Sequence, residues 1–319
     1  MADLRVVFLG NHRWSVPTLE VLADAGDIEL VAVITNPPRP AGRGSRLRPT
    51  AVSDAARDRS LHVLEVDGVR SGEGARAIER SAPDALVVVA YGELLDSEVL
   101  DVPHLGSVNL HFSLLPRWRG AAPVQRAILE GDEVTGVSVM LLDEGLDTGP
   151  VVLQREEPIR HDDDTGSLGD RLARLGAPMV VQALRSLGDG TAQTVPQDTA
   201  GAVTAAKIAP AEREIDWNVD APAVVRRIRA LTPAPGAVTA FRGGTLKILR
   251  AEVSGPWGAM FTSVRSPGIV HVAEDGTPSV DARGGSAVRL LDVVPTGKAP
   301  MAGADWARGA RFQPAERLG

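Results

Sequence analysis

The chain has 319 residues, 44% of them hydrophobic and 24% charged, which suits a globular protein of about two domains and excludes a disordered or fibrous one. It contains no cysteine, so disulfide frameworks, thiolate zinc sites and cysteine nucleophiles are all removed. The net charge of -7 argues against indiscriminate nucleic-acid binding, but it is unevenly spread: residues 1–209 hold 20 basic and 30 acidic side chains, and residues 210–319 hold 14 and 11.

The opening MADLRVVFLGNH reads as a short buried strand, because it lacks a basic leader, a long apolar stretch and a small-residue cleavage site. No apolar run approaches the roughly 18 residues that cross a bilayer. A cytoplasmic protein without a membrane partner is therefore expected. Apolar runs at 4–9, 30–34, 62–66, 86–90 and 107–110 read as strands, alternating with helical patterns at 16–25, 50–59 and 74–81. That alternation predicts a doubly wound α/β domain with a mostly parallel sheet, whose ligands sit beyond the carboxyl ends of the strands. The loops after Leu9, Ile34, Ala90 and Leu110 are the places to look.

A helix at 120–131, strands at 136–142 and 151–156 and a helix at 167–187 complete a first domain over 1–187. Residues 188–209, rich in Gly, Thr, Ala and Pro and without sustained periodicity, read as a linker. In 210–319 a helix at 221–230 precedes alternating segments at 237–242, 245–253, 268–273 and 286–293, the pattern of a small β-barrel. Only Lys207, Lys247 and Lys298 are lysines, so a polyanionic partner of this mildly basic tail would be met mainly by arginine.

The most informative stretch is SVNLHFSLLPRWRGAAPVQRAI, from Ser107. On a strand over 107–111, Asn109 and His111 share a face at its carboxyl end. An amide donor beside a proton-exchanging imidazole suits acyl or formyl transfer, in which an oxygen gains negative charge while a proton moves nearby. Such a pair is often merely structural. Asp147, in the glycine-flanked loop of LLDEGLDTGPVV, could by itself only form an Asx turn; beside His111 it could orient the imidazole and stabilise the imidazolium.

His161 with Asp162, Asp163 and Asp164 resembles a hard-metal cluster, but it precedes a helix start and reads better as a solvated turn with an N-cap. FLGNH has one glycine after its strand and falls short of a dinucleotide fingerprint, and His12 reads as a loop residue. The segment NPPRPAGRGSRLRP holds Arg39, Arg43, Arg46 and Arg48 and no acid, with two glycines and four prolines to keep it irregular. It is either a solvated basic loop or a contact for the phosphates of a large substrate.

The stretches RPAGRG, VVVAYG, NLHFSLLPRWRGAAPVQRAI, GLDTGP, DWNVDAPAVVRRIRALTPAPGA and DWARGAR together resemble the methionyl-tRNA formyltransferases along nearly the whole chain. The resemblance implies a Rossmann-like catalytic domain followed by an OB-like barrel over 210–319 that helps hold tRNA. It implies that Asn109, His111 and Asp147 are catalytic, and that Ser113, Leu114, Leu115 and Pro116 line a folate site with Val89, Ala90, Tyr91 and Gly92 nearby. The implied donor is 10-formyl-tetrahydrofolate and the implied acceptor is the α-amine of initiator methionyl-tRNA, with Arg39, Arg43, Arg46 and Arg48 toward the tRNA. No metal and no obligate protein partner are implied.

One departure lies at the crevice rim. The family's usual Gly-Thr-Pro-acid-Phe run is here Gly10, Asn11, His12, Arg13, Trp14, and Pro38 stands where an aspartate is common. Asn-x-His with the later Asp is shared across folate-dependent formyltransferases and hydrolases, so these residues specify chemistry and not the acceptor. A formyltransferase acting on a sugar nucleotide or another small amine, and a formyl-folate hydrolase, therefore stay open. A non-catalytic RNA-binding module would not require Asn109, His111 and Asp147 together.

Overall fold

The computed structural model describes residues 3–41, 46–70, 72–254 and 266–319. The chain packs as two compact units, one formed by Met1–Pro123, Val134–Pro158 and Gly169–Ala206, the other by Val124–Glu133, Ile159–Leu168 and Lys207–Gly319. In chain order the elements are β1 (Leu4–Gly10), α1 (Val16–Ala23), β2 (Ile28–Thr35), β3 (Arg39–Ala41), β4 (Arg46–Arg48), α2 (Ala51–Asp58), β5 (Val63–Glu65), α3 (Gly72–Ser81), β6 (Ala85–Val89), α4 (Ser97–Leu100) and β7 (Ser107–His111). There follow α5 (Pro123–Glu130), β8 (Val134–Leu141), β9 (Val151–Pro158) and the long α6 (Thr165–Gly188).

Seven strands form one sheet in the order β5-β2-β1-β6-β7-β8-β9. The run from β5 to β7 is parallel, and β8 and β9 add antiparallel pairs at one edge. The middle strands are covered on both faces, which is why ALVVV of β6 is apolar at every position and buried throughout. Edge strand β9 instead exposes Gln154, Arg155 and Glu156, charges and amides that discourage pairing with another chain. Val7, Leu9, Ile34, Leu86 and Val88 of the inner strands pack with Val69, Ile78, Tyr91 and Leu95 into one of its cores.

The expected doubly wound sheet is present, with differences at the element ends. The helix expected from 120 begins at Pro123, because Gly120 is held at φ +117 and proline suits a first helical turn. The 36–49 segment, expected to be irregular, pairs Arg39 with Arg48 and Ala41 with Arg46 in an antiparallel ribbon. Its Pro40 is tolerated because, among the described residues, neither strand has a second neighbour.

The second unit adds α7 (Ala221–Leu231), β10 (Ala237–Phe241), β11 (Gly244–Ser254), β12 (Val270–Val272), β13 (Pro278–Asp281), β14 (Ala287–Pro295), β15 (Met301–Ala302) and α8 (Gly303–Ala310). Its strands form an antiparallel sheet in the order β10-β11-β14-β13-β12, with β15 on β14. Trp217, Ile228, Leu246, Ile248, Val288 and Trp306 lie at its core. A barrel was the expectation; among the described residues the sheet is not closed.

Candidate active site

The chain leaves β1 toward β2 and β5 on one side and returns to β6 and β7 on the other, so the strand order reverses between β1 and β6. Ligands of doubly wound sheets sit beyond the carboxyl ends of the strands at such a reversal. Asn11, the first residue after β1, spans it. Its side-chain oxygen accepts from the Asn36 backbone (2.8 Å) and the Thr35 hydroxyl (2.9 Å), and its amide donates to the Tyr91 carbonyl. The buried Ser15 hydroxyl donates to the Val89 carbonyl at 2.6 Å, fixing the start of the loop after β6.

That loop turns sharply, with Ala90 at φ +44 and Gly92 at φ +88. Tyr91 between them is buried in the apolar core. Burial, and then the Glu93 charge, push its phenol well above the ordinary range. Tyr91 therefore keeps its proton at physiological pH.

Asn109 and His111 are alternate residues of β7, both buried, with Asn109 in register with Val88 of β6. They share one face at the end of a strand next to the reversal point. His111 sits between two loops. Its Nε2 lies 2.8 Å from the Trp118 carbonyl, an acceptor, so Nε2 carries a proton. Its Nδ1 faces Oδ2 of Asp147 at 3.5 Å. That separation is too long for a strong direct hydrogen bond, and both atoms are left able to engage a third group.

Asp147 is at φ +53, in the left-handed region that non-glycine residues seldom occupy. Its Oδ2 also accepts from the Gly120 backbone at 2.8 Å. The preceding turn is closed by Asp143, whose Oδ1 accepts from Gly145 N (3.0 Å) and the Thr148 hydroxyl (2.6 Å). Gly149 must be glycine, since a Cβ there would lie 1.9 Å from the Leu141 carbonyl oxygen.

Ser113, Leu114, Leu115 and Pro116 form a turn directly after β7, held by β8 and β9. Ser138 donates from its hydroxyl to the Ser113 carbonyl (2.6 Å) and accepts from Leu115 N (3.0 Å), while Gln154 donates to the Leu115 carbonyl (2.7 Å). The Ser113 hydroxyl is itself consumed by the Arg117 carbonyl at 2.6 Å. Gly136 lets Leu114 approach, because a Cβ there would meet Leu114 Cδ2 at 2.5 Å.

At the rim, Trp14 donates from Nε1 to Asp170 (3.0 Å), which also binds Arg13 (3.1 Å), and its ring meets Phe112 edge-on at 5.5 Å. His12 accepts the Trp14 backbone N–H on Nδ1 at 3.3 Å. Partial burial, then the Arg13 charge, lower its pKa below the usual histidine value, against a smaller opposing pull from Asp170.

In the β3–β4 ribbon the cross-strand pairing puts Arg39, Arg46 and Arg48 on one face, with Pro40 and Leu47 on the other. All three arginines are exposed. Arg43 lies outside the described residues. His161 is exposed, and Asp163 and Asp164 accept from Arg160 N and Ser167 N, both at 2.8 Å, capping the start of α6. No group of three or more metal-ligating side chains gathers among the described residues, and none of their helices is long and apolar enough to cross a membrane.

The mixed sheet thus carries an Asn-x-His strand end beside an aspartate in a left-handed turn. Residues 4–184 match the formyl transferase family, and residues 207–311 match the formyl transferase C-terminal domain. The chain is 43% identical over 316 residues to a methionyl-tRNA formyltransferase of Streptomyces griseus, covering 99% of this chain and all of that protein. It is 44% identical over 317 residues to one from Aromatoleum aromaticum, covering 99% and 98%. The chain belongs to the methionyl-tRNA formyltransferase family. Its fold is also that of an N-formyltransferase from Helicobacter canadensis solved with folinic acid and dTDP-3-aminofucose (TM-score 0.63, 16% identity, 91% of this chain and 99% of that one).

Sequence reasoning missed Trp118, Gly120, Ser138 and Gln154. Trp118 and Gly120 act through backbone groups, Ser138 through a buried hydroxyl and Gln154 through its side-chain amide, and nothing in residue type alone marks such a partner.

Proposed function

We propose that this protein transfers the formyl group of 10-formyl-tetrahydrofolate to the α-amine of initiator methionyl-tRNA, in the cytoplasm, without a metal. The observation that carries the chemistry is His111 held between the Trp118 carbonyl and the Asp147 carboxylate, two residues from Asn109 on the same strand face. Full-length identity to methionyl-tRNA formyltransferases carries the choice of acceptor.

The α-amine has an ordinary pKa near 8, lowered further when the adjacent carboxyl is esterified, so much of it is a neutral nucleophile at pH 7. It attacks the formyl carbon. Asn109 donates to the oxygen that becomes negative, in a site where burial strengthens that hydrogen bond. As the new C–N bond forms and the bond from the formyl carbon to the folate nitrogen breaks, one proton must leave the amine and one must reach that nitrogen. His111 carries it through Nδ1, the nitrogen not fixed on a carbonyl, and Asp147 stabilises the imidazolium. The turn from Ser113 to Pro116 and the loop from Val89 to Gly92 offer backbone groups and apolar surface to the folate. The tRNA phosphates are met by the guanidiniums of Arg39, Arg43, Arg46 and Arg48.

The test is incubation with 10-formyl-tetrahydrofolate and charged initiator tRNA, small amines, aminosugar nucleotides or no acceptor, with formylated product and formate both measured. Product only with methionyl-tRNA supports the reading. Formate released equally without acceptor, or product only with a sugar nucleotide, would replace it.

A further inference from the structure

Residues 193–205 run over the loops that hold His111, and Gln197 is where they meet. Gln197 is half-buried, while its neighbours from Gln193 to Pro196 and from Asp198 to Gly201 are exposed. Its amide nitrogen donates to two carbonyls, Asp147 (3.0 Å) and Gly149 (2.7 Å), spanning the turn that carries the candidate catalytic carboxylate. Its amide oxygen accepts from Arg119 Nε at 2.9 Å. Arg119 lies between Trp118, whose carbonyl faces His111, and Gly120, whose N–H donates to Asp147.

The strand-like run of 203–205 holds the same loop from behind: Val203 N donates to the Pro116 carbonyl (3.3 Å), Arg119 N to the Val203 carbonyl (2.9 Å), Ala205 N to the Arg119 carbonyl (2.6 Å) and Ala122 N to the Ala205 carbonyl (3.1 Å). Val151 and Val195 exchange both backbone hydrogen bonds at 2.8 Å just after the aspartate turn. One primary amide thus ties together the two loops between which His111 sits.

From this geometry we infer that Gln197 is a positioning residue for formyl transfer: it holds Asp147 in its left-handed conformation and fixes the distance from the carboxylate to His111. The inference rests on the proposed role of Asp147. Aspartate visits the left-handed region more readily than most residues, but at a cost, and it stays there when its surroundings hold it. With both donors on the turn and its acceptor on Arg119, Gln197 supplies that restraint without touching the reacting atoms.

The test uses Gln197→Leu, which removes both donors and the acceptor, and Gln197→Glu, which keeps an acceptor for Arg119 and removes the donors. Both should fold, since the surrounding segment is exposed. Both should lower kcat on the order of 10- to 100-fold, as an ångström-scale misplacement does, with KM for formyl-folate nearly unchanged. Amide exchange at Gly120 should accelerate at least about tenfold, because that N–H loses its fixed acceptor. In an Asp147→Asn background, Gln197→Leu should cause no further loss.

Unaltered Gly120 exchange would overturn the brace itself, and so would wild-type turnover in Gln197→Glu. An equal proportional loss of kcat with and without the Asp147 carboxylate would overturn the claim that Gln197 acts through it. The role of Asp147 is judged separately: full activity in Asp147→Asn alone would sink the underlying reading, whatever the exchange data say.

Discussion

His111 has an acceptor at each ring nitrogen, one fixed at 2.8 Å and one loose at 3.5 Å, and that asymmetry decides which nitrogen can exchange a proton. The loose side depends on a turn with almost no spare volume. In Gly149→Ala the new methyl would press on the Leu141 carbonyl, backbone that cannot swing away. We expect a loss of about 1–3 kcal/mol in urea unfolding, as overpacking typically costs, together with a drop in turnover from displacement of Asp147. A Gly149→Ala protein with native stability and rate would show that this turn yields freely. Asn109, His111 and Asp147 were legible in the sequence as residue types, because alternation on a strand and a glycine-flanked aspartate are local patterns. That His111 and Asp147 meet was not, since 36 positions separate them and the loop after β8 reaches His111 only by folding back onto Gly120 and Gln197. Trp118 and Gly120 contribute through main-chain atoms that every residue possesses, which is why they carried no signal.

Among the elements, the rim formed by the turn from His12 to Trp14 departs most from the family pattern and is well anchored. Trp14 lies against Gly169 of α6 so closely that a Cβ there would sit 1.9 Å from its ring. Gly169→Ala should therefore drive the indole off Asp170 and Phe112, visible as a change in tryptophan fluorescence and a raised KM for the acceptor. Unchanged values of both would remove the rim from substrate binding. The lowered His12 pKa gives a pH dependence of definite sign. The unfolded chain takes up a proton near pH 6.5 while the folded chain resists it, so the His12 contribution is complete above pH 6.5 and fades as pH falls toward the folded value. His12→Gln should flatten the fall in Tm between pH 7.5 and pH 5.5; an identical fall in both proteins would mean that other groups govern it. Strands and helices of the α/β unit were legible because buried parallel strands read as unbroken apolar runs. The β3–β4 ribbon was hidden by prolines and glycines that argue locally for irregular chain. Strand β13 is four residues long, starts at Pro278 and is buried at every position, so it has no alternation to read. Helix α8 includes Gly303 and Gly309, which weaken any helical pattern.

On the scale of the whole molecule, the second unit takes in two segments from the middle of the chain. Within it Arg126 binds Glu212 at 2.6 Å, Thr165 donates to the Ala230 carbonyl at 2.7 Å, and Arg229 donates to the Arg160 carbonyl at 2.7 Å. A fragment of residues 1–209 strips these partners from 124–133 and 159–168, and should melt at least about 5 °C below the full chain. A fragment equal in Tm to the full chain would mean that these contacts stabilise nothing. The arginine face of the β3–β4 ribbon makes a claim about tRNA: replacing Arg46 and Arg48 with alanine should weaken tRNA binding and reduce its salt slope by about one to two, since each phosphate contact releases about one counterion. An unchanged slope would leave the ribbon as solvated surface. The central claim, that a formyl group passes to methionyl-tRNA at the Asn109–His111–Asp147 centre, is tested most directly by single-turnover formylation of charged initiator tRNA with saturating 10-formyl-tetrahydrofolate, comparing the wild-type chain with Asn109→Ala and His111→Ala. The wild type should yield formyl-methionyl-tRNA and each variant a rate at least about a hundredfold lower, with folding intact; near-wild-type rates in both variants would refute this centre.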